Sequence, residues 1–224
     1  MFFKRRSKED PRDAAWAALA QRLEMTRLPE RAEEELRAEL AVDTGRVAAL
    51  HALRRPGQPE LLMFEHARGR RRFRGEERRA RVLLRDEEAV SGVAWRAFPR
   101  SHPLITSLQT SRSGGTLIET GDEDFDAQVG VLTREPEACR AQVTRPVRVA
   151  LRRLLVGDEP AGDAADAASP SGGAPPAGND ASVTCGGRHL AWRARRELDP
   201  PFDELEWVAV RMLGLWAALV PDRA

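Results

Sequence analysis

The sequence predicts an α+β fold in which helices pack on one face of an antiparallel sheet. Short apolar runs bounded by Gly, Pro or Ser recur along the chain, as is typical of strands joined by turns. Other segments repeat their apolar residues with helical spacing. Residues 116–156 and 182–220 each show the order strand, strand, helix, which indicates a degenerate structural repeat.

Two amphipathic helices are predicted near the N-terminus. Residues 12–25 place Trp16, Leu19 and Leu23 on one helical face. Pro29 suits the first turn of a second helix, over residues 30–42. We expect residues 1–11, which precede the first helix, to be disordered.

The predicted strands begin with a hairpin. Apolar-rich runs at 47–54 and 60–67 flank residues 55–58, which have the composition of a turn. In the simplest register His51 and His66 lie four residues apart along one face, about 13 Å, and cannot share a metal ion. Further strands are predicted at 80–84, 92–98, 104–108, 116–119 and 125–132.

Residues 157–182 contain no aromatic residue and no Leu, Ile, Val, Met or Cys. Side-chain burial in this segment cannot offset the conformational entropy lost on ordering, so we expect a disordered insert. About 40 residues follow, close to the size below which a segment rarely folds alone. The C-terminal segment must therefore pack on residues before the insert, which makes 12–222 a single α+β domain.

Helices and a hairpin are predicted on either side of the insert. Thr144 has the residue type of a helix N-cap. After the insert, runs at 182–185 and 188–195 flank Gly186-Gly187, which suits a two-residue turn with Cys185 opposite Arg188. A final helix spans about 202–220.

Composition and charge exclude several classes of protein. The chain carries 36 basic and 35 acidic residues, so no overall field attracts nucleic acid or an anionic membrane. Cys139 and Cys185 have neither metal-site nor disulfide-framework spacing. The N-terminal residues lack the apolar run of a signal peptide, and the apolar stretch 207–220 is too short to cross a bilayer. We therefore expect a cytoplasmic protein without a membrane span.

No catalytic, cofactor-binding or metal-binding residue is predicted. The sequence has no phosphate-binding loop, dinucleotide fingerprint or nucleophile elbow. Residues 122–126 carry carboxylates at the spacing that opens a calcium loop, but Ala127 and Thr133 stand where a glycine and a bidentate glutamate are required. We interpret this run as a solvated acidic turn.

Residues 68–81 carry eight arginines around one phenylalanine. Guanidinium groups neutralise phosphates, and an aromatic ring offers a surface for base stacking. The candidate polyanion-binding residues are Arg70, Arg71, Arg72, Phe73, Arg74, Arg78 and Arg79. Because Glu76 and Glu77 interrupt the run, a solvated loop between two strands is the alternative interpretation.

The final helix has a second apolar side. Its main arc, which includes Leu205, Val208 and Met212, is wide enough to bury against a sheet. The opposite side carries apolar or small residues where a solvated helix would show charges. These residues, the candidate partner interface, are Trp207, Val210 and Gly214. Either another element of this chain covers them, or they form a homodimer or protein-partner contact.

The order of motifs after residue 110 resembles that of a known group of domains. The run Gly115-Thr-Leu-Ile-Glu-Thr-Gly-Asp-Glu-Asp-Phe-Asp126 precedes a strand, a helix opened by Thr144-Arg-Pro-Val147, a hairpin and a closing helix after Pro200-Pro201. Residues 110–222 thereby resemble an uncharacterised domain common in high-GC bacteria, tethered in some members behind a short membrane anchor. The resemblance implies a soluble, non-enzymatic domain and supplies no catalytic residues. We expect no such anchor here.

Taken together, these patterns favour a non-enzymatic interaction or structural module. One alternative is nucleic-acid or polyanion binding through residues 68–81. A weaker alternative is an enzyme whose polar residues meet only in the folded chain.

The insert generates a prediction. Limited proteolysis should cut first within residues 157–182, and the two fragments should co-elute from a sizing column without denaturant. A flexible chain of this length spans about 28 Å, enough to link distant points of one domain. Separation of the fragments would contradict the single-domain interpretation.

Overall fold

The computed structural model of the protein describes residues 11–29, 48–69, 76–88, 90–100, 114–157, 181–193 and 203–223. The helices are α1 (Pro11–Arg22), α2 (Glu123–Gln128), α3 (Pro136–Gln142), α4 (Arg145–Leu155) and α5 (Asp203–Leu219). The strands are β1 (Thr26–Arg27), β2 (Ala48–Arg55), β3 (Glu60–Gly69), β4 (Glu76–Arg85), β5 (Ser91–Pro99), β6 (Thr116–Ile118), β7 (Val129–Thr133), β8 (Ser182–Gly187) and β9 (His189–Arg193). None of the helices within these ranges is long and apolar enough to cross a membrane.

The nine strands form one antiparallel sheet in the order β1-β2-β3-β4-β9-β8-β5-β7-β6. Strands β4 and β5 follow each other in sequence but do not pair. The hairpin β8–β9, from the C-terminal part of the chain, lies between them and pairs with both. The sheet is therefore continuous only because of residues that follow position 181.

The described helices pack on one face of this sheet, as the sequence predicts. Each contributes to a single hydrophobic core, for example through Trp16 of α1, Phe125 of α2 and Val147 of α4. Alternate strand residues such as Leu61 and Met63 face that core, whereas Leu62 and Phe64 belong to a smaller cluster on the opposite face. The predicted α+β fold class is confirmed.

The repeat is present only as an outline. The pair β6–β7 is followed by α4, and the pair β8–β9 by α5, but α2 and α3 interrupt the first unit. Helices α4 and α5 pack against each other over the sheet. The helix that ends each unit, α4 in the first and α5 in the second, therefore belongs to the same layer of helices.

The register of the first hairpin differs from the predicted one. His51 pairs with Glu65 and His66 pairs with Ala49, so the two histidines are not four residues apart along the strands as predicted. Pro56 and Pro59 both lie in the connection, and proline cannot donate a ladder hydrogen bond, so the loop is longer than a simple turn.

The turn of the central hairpin lies one residue later than predicted, and the pairing shifts by two residues along β9. Cys185 pairs with Leu190, not with Arg188, and Gly187 and Arg188 lie between the last paired residues, Gly186 and His189. Gly187 has φ +54°, a conformation that favours glycine. Because a shift of two residues preserves side-chain alternation, the predicted buried face is nevertheless correct.

The predicted strand at 125–132 is wrong in its first half. Residues Glu123–Gln128 form α2, and only Val129–Thr133 form a strand. Asp122 is the N-cap of α2, and its side chain accepts a hydrogen bond from the Phe125 amide, which favours a helical turn over extension. Helix α3, which begins with a proline in its first turn, was not predicted at all.

Several sequence-based predictions lie outside the described residues. These are the disordered N-terminus apart from Pro11, the helix at 30–42, the strand at 104–108 and residues 158–180 of the insert. The predicted end of the insert needs correction, because Ser182 is 1% exposed and begins β8.

Gly130 generates a prediction about packing in this sheet. A Cβ at this position would lie 2.7 Å from Cζ of the buried Phe98 ring. Gly130→Ala should lower the free energy of unfolding by about 1–3 kcal/mol, because the ring cannot move without disturbing its neighbours. The control is Gly92→Ala, since no atom lies within 4 Å of a Cβ there. Equal urea midpoints for the two variants would contradict this account.

Candidate functional site

Helix α5 has one deeply buried side, as its sequence predicts. Its least exposed residues are Leu205, Val208, Ala209, Met212, Leu215 and Trp216. On the opposite side Val210 is 59% exposed. Gly214 is also exposed, and a Cβ at this position would meet no described atom within 4 Å beyond its own stretch of helix. The exposed apolar side chain of Val210 and an open notch at Gly214 therefore lie one helical turn apart.

Trp207, the third residue of the predicted interface, lies in a different environment. It is only partly exposed and packs against the main core. The guanidinium of Arg211 lies over its ring, 5.3 Å from the centroid, at cation–π distance. Helix α1 reaches the adjacent residue, where Arg22 Nε donates to Glu206 Oε2 at 2.7 Å. The three residues of the candidate partner interface thus do not form one exposed strip. Trp207 packs against the core, and the outward part of the strip consists of Val210 and Gly214.

The outward part of the strip forms one wall of a groove between α4 and α5. We call this the valine groove; its volume is about 560 Å³. Its lining residues are Arg145, Pro146, Val149, Ala150 and Arg153 of α4, and Val210, Arg211, Gly214 and Ala218 of α5. Its other lining residues are apolar or small, and among the described residues the charged ones that line it are all arginines.

Exposed apolar side chains concentrate in this groove. Within the described part of the chain, the large hydrophobic residues classed as exposed are Val149 at 44%, Val156 at 39% and Val210 at 59%. Val149 of α4 and Val210 of α5 both line the valine groove, while Val156 does not. Two exposed valines on neighbouring helices form a patch, whereas single exposed residues are ordinary.

Sequence reasoning found the α5 wall of the groove but missed the α4 wall. A signal was present, because Val149 lies about 200° around the helix from the buried Val147. A valine on the polar side of a short amphipathic helix is unremarkable alone. Only the packing of α4 beside α5 shows that it matters.

The arginine-rich segment is only partly described. Its candidate residues Arg70, Arg71, Arg72, Phe73 and Arg74 lie outside the described ranges. Arg78 and Arg79 belong to β4, where they pair with Ala67 and His66 of β3. The predicted loop at 68–81 is therefore shorter, because strands occupy both its ends. Its role in polyanion binding stays a prediction.

The acidic run at 122–126 serves the local fold. Asp122 caps α2 and accepts a hydrogen bond from Arg148 Nε at 3.0 Å. The Phe125 amide, and then Arg148, hold the pKa of Asp122 below its usual value. Asp126 accepts from the Thr120 amide at 2.8 Å and from its hydroxyl at 3.0 Å. Nowhere in the described ranges do three His, Cys, Asp or Glu residues meet as a metal site would require.

The two cysteines are free and buried. Burial raises the pKa of the Cys139 thiol to about 11 and that of Cys185 to about 12. Hydrogen bonding with Thr133 and Ser91, respectively, offsets these shifts only in part. Neither thiol has the lowered pKa of a nucleophile.

Comparison of the chain with family models, with curated proteins and with solved structures found no match. The resemblance of residues 110–222 to a bacterial domain therefore stays a prediction. Function has to be argued from the surface itself.

The cysteines generate a prediction. Iodoacetamide at pH 8 should leave both thiols unmodified in the native protein, because burial and raised pKa values keep the thiolate population minute. In urea both should react, and mass spectrometry counts the adducts directly because the chain has two cysteines. Native alkylation at the rate of a free cysteine would show that this part of the core opens readily.

Proposed function

We propose that this protein is an interaction module that binds an amphipathic helix of a partner protein in the valine groove. The observation that carries the proposal is the clustering of Val149 and Val210, two of the most exposed large apolar side chains in the described residues. A helix laid into an apolar groove is a common mode of recognition.

Small residues favour a helix as the occupant. Gly214, Ala150 and Ala218 line the groove together with the two valines. They leave room for the side chains of an incoming helix, and the notch at Gly214 accepts an apolar side chain without displacing any described atom. Burial of both valines would remove apolar surface from water, which stabilises the complex.

The charges along the groove indicate the chemistry of the partner. Arg145, Arg153 and Arg211 line it, and none of the described lining residues is acidic. A helix whose apolar stripe is flanked by Asp or Glu complements this pattern, which speeds association and excludes basic partners. A second copy of this chain is a poorer occupant, because a two-fold contact would bring both sets of arginines together.

The proposal predicts selective binding of an acidic helix. The probe is a fluorescein-labelled 18-residue peptide with Leu at positions i, i+3, i+4 and i+7 and Glu beside this stripe; its twin carries Lys instead. Val210→Asp should weaken binding of the Glu peptide at least tenfold, about 1.4 kcal/mol, because it removes an apolar contact and adds a like charge. Fluorescence anisotropy measures both affinities.

Val156→Asp is the matched control, since it adds the same charge at an exposed valine outside the groove. It should leave the affinity unchanged. Three results would each overturn the proposal. The first two are equal binding of the Glu and Lys peptides and equal weakening of binding by Val210→Asp and Val156→Asp. The third is that the unsubstituted protein sediments as a dimer and only Val210→Asp sediments as a monomer. The last would make a second copy the occupant.

A further inference from the structure

A second concave surface lies at one end of the sheet and is unrelated to the valine groove. It forms where the β2–β3 loop, the end of β4 and the β8–β9 turn meet, and it encloses about 610 Å³. We call it the polar cleft. Its lining residues are Arg54, Pro56, Gly57, Glu60, Arg85, Asp86, Glu87, Arg188 and His189.

Strand pairing aligns the charged residues of the polar cleft. Glu60 of β3 pairs with Arg85 of β4, which in turn pairs with His189 of β9. Arg54 of β2 pairs with Leu62, two residues from Glu60, and therefore shares its face. Glu60, Arg85 and His189 thus form one row across three strands, and Arg54 lies two residues away on the same face, opposite the helices.

Glu60 holds two of the arginines in fixed positions. It is 8% exposed and forms ion pairs with Arg54 Nε through one carboxylate oxygen and with Arg85 through the other, at 2.7 Å from Nε and 2.6 Å from Nη2. The single negative charge of Glu60 neutralises only one of the two positive charges of Arg54 and Arg85. The Arg54 side chain is 49% exposed, so it stays open to solvent while it pairs with Glu60.

The turn that carries Arg188 is held by the backbone. The Arg188 carbonyl accepts from the Asp86 amide at 3.1 Å, and the Gly187 carbonyl accepts from the Val90 amide at 2.7 Å. Asp86 is 6% exposed, and its carboxylate accepts from the Glu88 amide at 3.2 Å. Arg188 itself is exposed beside His189. Because the backbone of this turn is already fixed, binding through Arg188 does not require the backbone to be ordered.

The accessible charges of the cleft favour an anion. Among the described residues, three arginines and three carboxylates line it, but Glu60 and Asp86 are buried. Arg54 and Arg188 are exposed, and Glu87 is the exposed carboxylate. Glu87 would repel a bare anion of high charge, yet it can accept a hydrogen bond from a hydroxyl group.

We infer that the polar cleft binds the oxyanion of a small hydroxylated molecule, with Arg54 and Arg188 as its principal ligands. The oxyanion, a carboxylate or a phosphate, would accept from the guanidinium groups in the charge-assisted geometry that arginine favours. A hydroxyl group on the same molecule would donate to Glu87. Glu60 acts as a positioning residue, because it is buried and its carboxylate pairs with both Arg54 and Arg85.

The experiment is an NMR titration of the ¹⁵N-labelled full chain with malate and, separately, with inorganic phosphate, at constant ionic strength set with sodium chloride. Amide shifts should saturate and concentrate at residues 54–60, 85–88 and 188–189. Arg54→Gln and Arg188→Gln should each weaken malate binding at least fivefold. Both side chains are substantially exposed, so the fold should survive their substitution.

Arg134→Gln is the control, because Arg134 is an exposed arginine that does not line the cleft. It should leave the malate affinity unchanged. The inference is overturned if neither probe gives saturable shifts, if the shifts lie elsewhere, or if Arg134→Gln weakens binding as much as Arg188→Gln. Malate binding tighter than phosphate binding supports the predicted role of the hydroxyl group, and the reverse order contradicts it.

Discussion

The pairing of the hairpin β8–β9 with β4 on one side and β5 on the other is the interaction on which the rest of the structure depends. Without it, the edges of β4 and β5 would expose rows of unpaired amides and carbonyls. Leu190 and Trp192 of the hairpin are fully buried, so the same residues also complete the hydrophobic core. Both hydrogen bonding and apolar burial therefore make the centre of the sheet dependent on the C-terminal part of the chain.

Both candidate surfaces follow from this central hairpin. Helix α5 follows β9 in sequence and packs over β4 and β9, where it lies beside α4 and creates the valine groove. At the end of the same hairpin, the turn at Gly187 and Arg188 forms one wall of the polar cleft. The two surfaces lie on opposite faces of the sheet. The proposed partner helix and the inferred small anion would therefore bind without competing directly.

Sequence patterns predicted the features that depend on local periodicity. The buried arc of α5 and the buried side of β8–β9 follow from helical spacing and strand alternation, and a two-residue register shift left the hairpin's alternation intact. Residues 125–132 were misjudged because a six-residue helix leaves too short a pattern to distinguish from a strand, and the cap at Asp122 decides between them. The α4 wall of the valine groove arises from packing between distant segments. The charged residues of the polar cleft, from Arg54 to His189, come together through pairing between distant segments. No single segment of sequence contains them.

Native-state hydrogen exchange in increasing denaturant tests the central role of the hairpin most directly. If β8–β9 completes the sheet, its amides should exchange only through global unfolding, with the same free energy and denaturant dependence as the amides of β3 and β4. Exchange of β8 and β9 at a clearly lower free energy, while β3 and β4 stay protected, would contradict the account. It would show that the hairpin docks onto a sheet already stable without it.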